Sequence, residues 1–354
     1  MKKMSLLLAA CISLSGLLLY ACGGGGGSSS GGASAAAGSG TVALFATDDI
    51  SNFQQVKATV ASVQLVHAGS NTTCDVLTTP ETFDLSDLSS LFELLGTTTC
   101  TARPYNRLRI EFEKAVALTD NTGFTNEACS FASYKDNSNN PNVLNCAGTT
   151  CTIDITGAVN VLADQTTPLA LDFDLKNFDV ADLTLPSCSV TMKVSPLNAS
   201  DMAGKKREGY REGITGLVSG LDTTAKTFTV TKNNRTFTAN YSGVVQPGLE
   251  SLLQLAQDNS LQTVVIGASV DLSANSITAA TIYVMAAGTV SAPDAVAHTF
   301  SLTFTPAGKS PQTIPVDYTN AVEVIGSPSA ERPAEVTLEG FNGISYLARK
   351  VEVL

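Results

Sequence analysis

Six cysteines confine what this chain can fold into. Of eight in all, Cys74, Cys100, Cys129, Cys146, Cys151 and Cys188 lie before residue 200 and outside the N-terminal leader, and none follows them. An even set gathered in one region reads as a disulfide framework, which requires an oxidising compartment. Zinc is the weaker alternative. No C-x2-C occurs, Cys146 and Cys151 are the only close pair, and the histidines are only His67 and His298. Six cysteines allow fifteen connectivities. The arrangement we expect is Cys74–Cys100, Cys129–Cys146 and Cys151–Cys188.

The N-terminus points to the same compartment. Lys2 and Lys3 precede an apolar stretch from Leu6 to Tyr20, the pattern of a signal peptide and too short for a permanent span. Leu19-Tyr20-Ala21-Cys22 resembles the bacterial lipobox, so residues 1–21 are expected to be removed and Cys22 acylated with palmitate-type chains. Leu8-Ala9-Ala10-Cys11 also matches in letters but leaves too short an apolar region before it. Residues 22–40, rich in glycine and serine, form a flexible tether. Gly23 after the cysteine, by resemblance to Gram-negative sorting, implies the outer membrane, facing the periplasm or the surface.

The formal net charge is −11, and loss of the leader removes two lysines and no acid, leaving −13. Such a chain repels phosphate backbones, which excludes nucleic acid as the expected partner. It gains nothing from anionic lipid either, so the membrane is reached through Cys22 alone.

From residue 41 the pattern is that of strands. Residues 41–49 end in Asp48 and Asp49, and Val56 to Val66 alternates in apolar character. In residues 105–113, Leu108, Ile110 and Phe112 face opposite to Arg107, Arg109 and Glu111; residues 169–175 alternate likewise, with Asp172 and Asp174 on the polar face. Leu88, Leu91, Phe92 and Leu95 recur at helical spacing before Gly96, which predicts one short helix. The expectation is an antiparallel β-sandwich over residues 41–200. Asp48, Asp49, Asp172 and Asp174 offer hard oxygen ligands of the kind calcium takes, or else a solvated face pairing with Arg107 and Arg109. Residues 134–151, rich in asparagine, read as a long surface loop stapled by cysteines.

Residues 201–213 read as a charged connector. Beyond it, Gly216-x-Val218-Ser219 and Thr227-Phe228-x-Val230 return as Gly288-x-Val290-Ser291 and Thr299-Phe300-x-Leu302, each 72 residues later. Two copies suit two small β-barrels, over 214–286 and 287–354, or one fused pair. Leu249, Leu252, Leu253 and Ala256 place a short helix in the first copy; Pro328 and Pro333 stand there in the second.

Two family resemblances follow from these residues. G-T-V-A-L-F-A-T-D-D, F-D-L-x8-L-L-G, Y-N-R-L-R-I and L-D-F-D-L, between Gly40 and Val194, resemble a bacterial lipoprotein module, the domain of unknown function numbered four-three-eight-two. Residues 214–354 resemble a second exported module, the domain of unknown function numbered five-six-six-six. The first implies an exported sandwich, and neither brings catalytic residues. There is no G-x-S-x-G, H-E-x-x-H or P-loop. The expected function is therefore a non-catalytic, lipid-anchored envelope protein that binds or spaces partners, without a cofactor. The alternatives are a carbohydrate-binding or adhesion module, whose partner is a glycan or an envelope protein, and, more remotely, an uncharacterised hydrolase.

Overall fold

The structure, a computed structural model, describes residues 38–48, 53–67, 69–70, 72–122, 124–135, 141–184 and 188–354. The leader, Cys22, most of the tether and Asp49 lie outside the described residues.

Among the described residues, fifteen strands build the N-terminal part. They are β1 (Ser39–Thr47), β2 (Phe53–His67), β3 (Thr72–Leu77), β4 (Glu81–Asp84) and β5 (Leu91–Thr101). Next come β6 (Arg103–Glu113), β7 (Ala115–Asp120), β8 (Thr125–Lys135), β9 (Pro141–Val143) and β10 (Asn145–Ala147). The set closes with β11 (Thr150–Val161), β12 (Thr166–Asp172), β13 (Asp179–Ala181), β14 (Ser189–Lys193) and β15 (Ser195–Leu197). Helix α1 (Ala199–Arg207) leads to β16 (Arg211–Asp222), β17 (Thr227–Lys232), β18 (Arg235–Asn240) and helix α2 (Leu249–Asn259). The chain ends in β19 (Gln262–Asp271), β20 (Ser276–Asp294), β21 (Thr299–Phe304), β22 (Gln312–Asp317), β23 (Glu323–Ile325), β24 (Pro333–Phe341) and β25 (Tyr346–Val353). The fold is mainly β: a sandwich followed by barrel-like units.

One layer of the sandwich runs β15-β12-β1-β5; the other runs β10-β11-β6-β2-β7-β8-β14-β13, with β3 and β4 along the free edge of β2. Most pairings are antiparallel, but β1 pairs with β12, and β8 with β14, in parallel. The alternation read from β6 holds: Leu108, Ile110 and Phe112 are buried in the core between the layers.

The layer containing β1 is buried on both faces. Val42, Leu44 and Ala46 point into the sandwich core, whereas Ala43 and Phe45 point into a second core built with the C-terminal strands. Strand β5 does the same, with Leu95 on one side and Phe92 and Leu94 on the other. This overturns the helix expected around Leu88 to Gly96. Every residue from Leu91 to Gly96 is buried. A surface helix buries one stripe, whereas a strand between two cores reads as an unbroken apolar run. Only a single 3-10 turn, Leu85–Leu88, is helical here, and the Asp84 carboxylate caps it by accepting the Ser86 N–H at 3.0 Å.

The disulfides are Cys74–Cys100, Cys129–Cys188 and Cys146–Cys151. The first is as expected; the other two exchange the expected partners. Cys146 and Cys151 are register partners in the β10–β11 hairpin, and the parallel register Ser189↔Ser130 sets Cys188 beside Cys129. Both pairings depend on which strands are neighbours, which spacing along the chain does not reveal.

The expected connector is also different, since residues 199–207 form α1. Asn198 caps it by accepting N–H groups from Ser200 and Asp201, Asp201 returns the bond to the Asn198 N–H, and Met202 is buried. Strand β16 then joins the sandwich layer directly, pairing in parallel with β5 from Arg211↔Leu91 to Gly213↔Glu93.

Two barrels follow, fused through one strand. Strands β16, β17, β18, β20 and β19 pair in a closed circuit, and β20, β21, β22, β25 and β24 repeat it. The first circuit contains the parallel pair β18–β20 and the second the parallel pair β22–β25. The boundary expected at residues 286 and 287 falls inside β20, whose first half closes one barrel and whose second half opens the next. Helix α2 lies where Leu249, Leu252, Leu253 and Ala256 predicted it, and all four are buried. The repeated glycines have one cause: a Cβ at Gly216 or Gly288 would overlap the carbonyl oxygen of Thr231 or Thr303. Asp222 and Asp294 each turn the following hairpin by accepting two backbone N–H groups at 2.8–2.9 Å.

The last strand fastens back onto the sandwich. Lys350 on β25 contacts Asp84, Asp87 and Glu323, and Lys57 on β2 contacts Glu335 and Glu352 at 2.9 Å each. Gln55 donates to the second oxygen of Glu352.

Candidate functional site

The four aspartates considered for calcium divide as follows. Asp48 directly follows β1, next to the Thr47↔Asp172 register pair, and its carboxylate accepts the Leu175 N–H at 2.9 Å. Asp172 lies 3.3 Å from the Lys205 ammonium, and Asp174 lies 3.4 Å from Lys193 and accepts from the Asn177 amide at 2.7 Å. Asp49 lies outside the described residues. These carboxylates thus meet ammonium groups and backbone donors, which fastens the ends of β1 and β12. Arg107 and Arg109 pair elsewhere, with Asp154. Among the described residues no group of three or more His, Cys, Asp or Glu side chains is placed to hold a metal.

The histidines are far apart in the fold. His67 ends β2 with Nδ1 2.9 Å from the Pro104 carbonyl oxygen, and His298, in the turn before β21, lies edge-on to Tyr318 in the last barrel. Tyr105 is buried, and its hydroxyl donates to the Thr101 carbonyl at 3.2 Å. It anchors a strand end and does not present a ring to a ligand.

A cleft forms where the outer layer forks. Strands β6 and β7 run nearly end to end along β2, and on their other side β11 pairs with β6 while β8 pairs with β7. The segment from β9 to β10 bridges the two branches, pairing first with β8 and then with β11, and Leu144 between them plugs into the core. This segment belongs to the asparagine-rich stretch, and the Cys146–Cys151 bond closes its end.

The resulting cleft has a volume of about 360 Å³. Arg109 and Glu111 of β6, Thr152 and Asp154 of β11, and Asn145 of β10 line it, with Tyr134 as its apolar wall; Ile153 lies under its floor with its side chain buried in the core. Alternation explains the polarity. Ile110 and Ile153 are register partners facing the core, so their flanking residues face outward. Arg109 grips Asp154 with two parallel bonds, Nε to Oδ1 at 2.8 Å and Nη2 to Oδ2 at 3.0 Å. That hydrogen-bonded pair, more than burial, holds the Asp154 carboxyl below its usual range and the Arg109 guanidinium above its own. One oxygen of Glu111 accepts from the Ser62 hydroxyl at 2.9 Å. The guanidinium keeps further N–H donors beyond those Asp154 uses. The cleft therefore presents planar donors and acceptors, one phenol ring and nearly balanced charge.

A second cleft of about 480 Å³ lies between α1, the start of β12 and the β19–β20 turn; Lys206 and Glu212, paired with each other, close one side of it.

Arg107, Arg109 and the asparagine-rich stretch are each visible in the sequence, but nothing in their spacing joins them into a site. Asp154 carries no signal of a site beyond the alternation of Thr152-Ile153-Asp154-Ile155. That pattern marks a strand; only the fork brings it beside Tyr134.

Residues 39–182 match the family described as Domain of unknown function (DUF4382), and all seven lining residues of the forked cleft lie within that match. No curated protein and no solved structure matches the chain.

Proposed function

We propose that the chain is a non-catalytic, lipid-anchored protein of the outer membrane that binds or spaces partners in the envelope. The observation that carries this reading is the layer β12-β1-β5, buried on both faces. Because one layer serves two cores, the sandwich and the barrels cannot swing independently, which suits a stiff spacer held on a tether. Three disulfides agree with an exported location. On this reading the fused barrels are the exported module that residues 214–354 resemble, and Cys22 is the membrane attachment. The test is processing of the precursor: globomycin should block cleavage, and Cys22→Ala should release the protein from membranes. Membrane retention of Cys22→Ala, with cleavage insensitive to globomycin, defeats the proposal.

The forked cleft favours a second reading, a carbohydrate-binding or adhesion protein, because a polar cleft with one aromatic wall is an unusual feature for a mere spacer.

A further inference from the structure

We infer that the forked cleft is a binding site for one or two units of a neutral saccharide. The inference rests on the reading of the chain as a non-catalytic binding module and adds the chemical class of its ligand.

Size comes first. Ligand sites run from about 300 to 1,000 Å³, so a cleft of about 360 Å³ takes a small ligand or the end of a longer one. Charge comes next. Arg109 is matched by Asp154, and Glu111 leaves the lining with an excess of one negative charge. A phosphate, sulfate or carboxylate ligand would meet that excess with both nearby cations, Arg109 and its neighbour Arg107, already engaged by Asp154. A lipid or acyl ligand is disfavoured for a different reason. Only Tyr134 supplies apolar area, since the Ile153 side chain is buried in the core, while the polar lining residues would lose hydration without gaining partners.

A neutral ring carrying hydroxyl groups meets none of these objections. The lining groups are fork-shaped: a guanidinium with donors to spare, two carboxylates and the Asn145 amide. Neighbouring hydroxyls on a ring present a donor and an acceptor at the spacing such groups span, and bonds to the charged members are the stronger kind. The Tyr134 ring is half-buried against the sandwich core, so it is a stiff wall for the apolar face of a sugar ring. The groups are also held in place beforehand. Arg109 and Asp154 lock each other, Ser62 holds Glu111, and the Cys146–Cys151 bond holds the strand that carries Asn145.

The test titrates the full chain with cellotriose, mannotriose and N,N′,N″-triacetylchitotriose, following saturation-transfer NMR, with a sulfated trisaccharide as the anionic probe. Saturable binding of at least one neutral trisaccharide is expected. Asn145→Ala and Glu111→Gln should each weaken it by about tenfold, the loss of one good hydrogen bond. Both side chains lie on the outer face, and an unchanged circular dichroism spectrum shows that the fold persists. No binding by any neutral trisaccharide at millimolar concentration overturns the inference. So does binding that both variants leave unchanged, or a preference for the sulfated probe. Release of Cys22→Ala from membranes is read separately, so failure of the anchor and failure of the sugar site are distinguishable.

Discussion

Lys350 Nζ lies 3.0 Å from Asp84 Oδ2, joining residues 266 positions apart across the junction of the sandwich with the last barrel. The side chains are 11% and 7% exposed, so the pair is nearly dry. Asp84 also accepts N–H groups from Val56 and Ser86, which orients it towards the lysine. Burial alone would raise the Asp84 pKa, but the lysine and these donors outweigh it and hold the carboxyl below its usual range.

Breaking this pair from one side should be costly. Lys350→Met leaves Asp84 buried without its cation, and Asp84→Asn leaves the lysine facing a weaker partner. A loss of about 3–5 kcal/mol is expected for Lys350→Met and less for Asp84→Asn, measured by urea unfolding. Loss below about 1 kcal/mol for Lys350→Met would mean that the junction is hydrated, as surface pairs are.

The same junction carries more acid than base, and this sets a pH dependence. Burial, with Asp84 and Glu323 nearby, pushes the Asp87 carboxyl up to about 6 against the attraction of Lys350. A carboxyl raised in the folded state favours folding when protonated. Its contribution is therefore largest below the unfolded value near 3.8 and is lost as pH rises through about 6. Glu93, buried between the cores and raised chiefly by burial, has the same sign. Asp84 and Asp154 are lowered, so their stabilisation is present above the ordinary carboxyl range and lost as pH falls through their folded values. The melting temperature should rise modestly from pH 7 to about 5 and then fall below about 4. Asp87 is half exposed, so water trims its share. Asp87→Asn should flatten the upper limb, and an unchanged profile in that variant assigns the limb elsewhere.

The repeated glycines test the barrel geometry. Gly216→Ala and Gly288→Ala force a Cβ against the backbone of the neighbouring strand. Overpacking costs about 1–3 kcal/mol, and the two variants should behave alike in thermal unfolding because the two circuits are alike. A neutral result at either position would show that strand separation there adjusts freely.

The disulfides should rank by the chain they enclose. With sequence separations of 59, 26 and 5 for Cys129–Cys188, Cys74–Cys100 and Cys146–Cys151, the loop-entropy relation gives about 4, 3.5 and 2 kcal/mol. Paired serine substitutions followed by urea unfolding check the order. A Cys146/Cys151 double variant that costs most would place the bond's value in holding the cleft and not in chain entropy.

Much was legible in the sequence itself. The alternation around Leu108, Ile110 and Phe112 marked a strand and its buried face, because pleating sends successive side chains to opposite sides. The 72-residue repeat marked two like barrels, and the spacing of Leu249, Leu252, Leu253 and Ala256 marked α2. Local pattern suffices where an element has one apolar face.

Tertiary structure alone decided the rest. Leu91 to Leu95 has apolar residues at spacings that fit a helix or a strand, and only the presence of a core on each side makes it β5. Cys129 joined Cys188 because β8 and β14 lie side by side, and Asp154 met Arg109, Asn145 and Tyr134 because the outer layer forks. Each of these depends on which distant strands become neighbours. That choice is made by the whole buried surface at once, and no short stretch of sequence carries it.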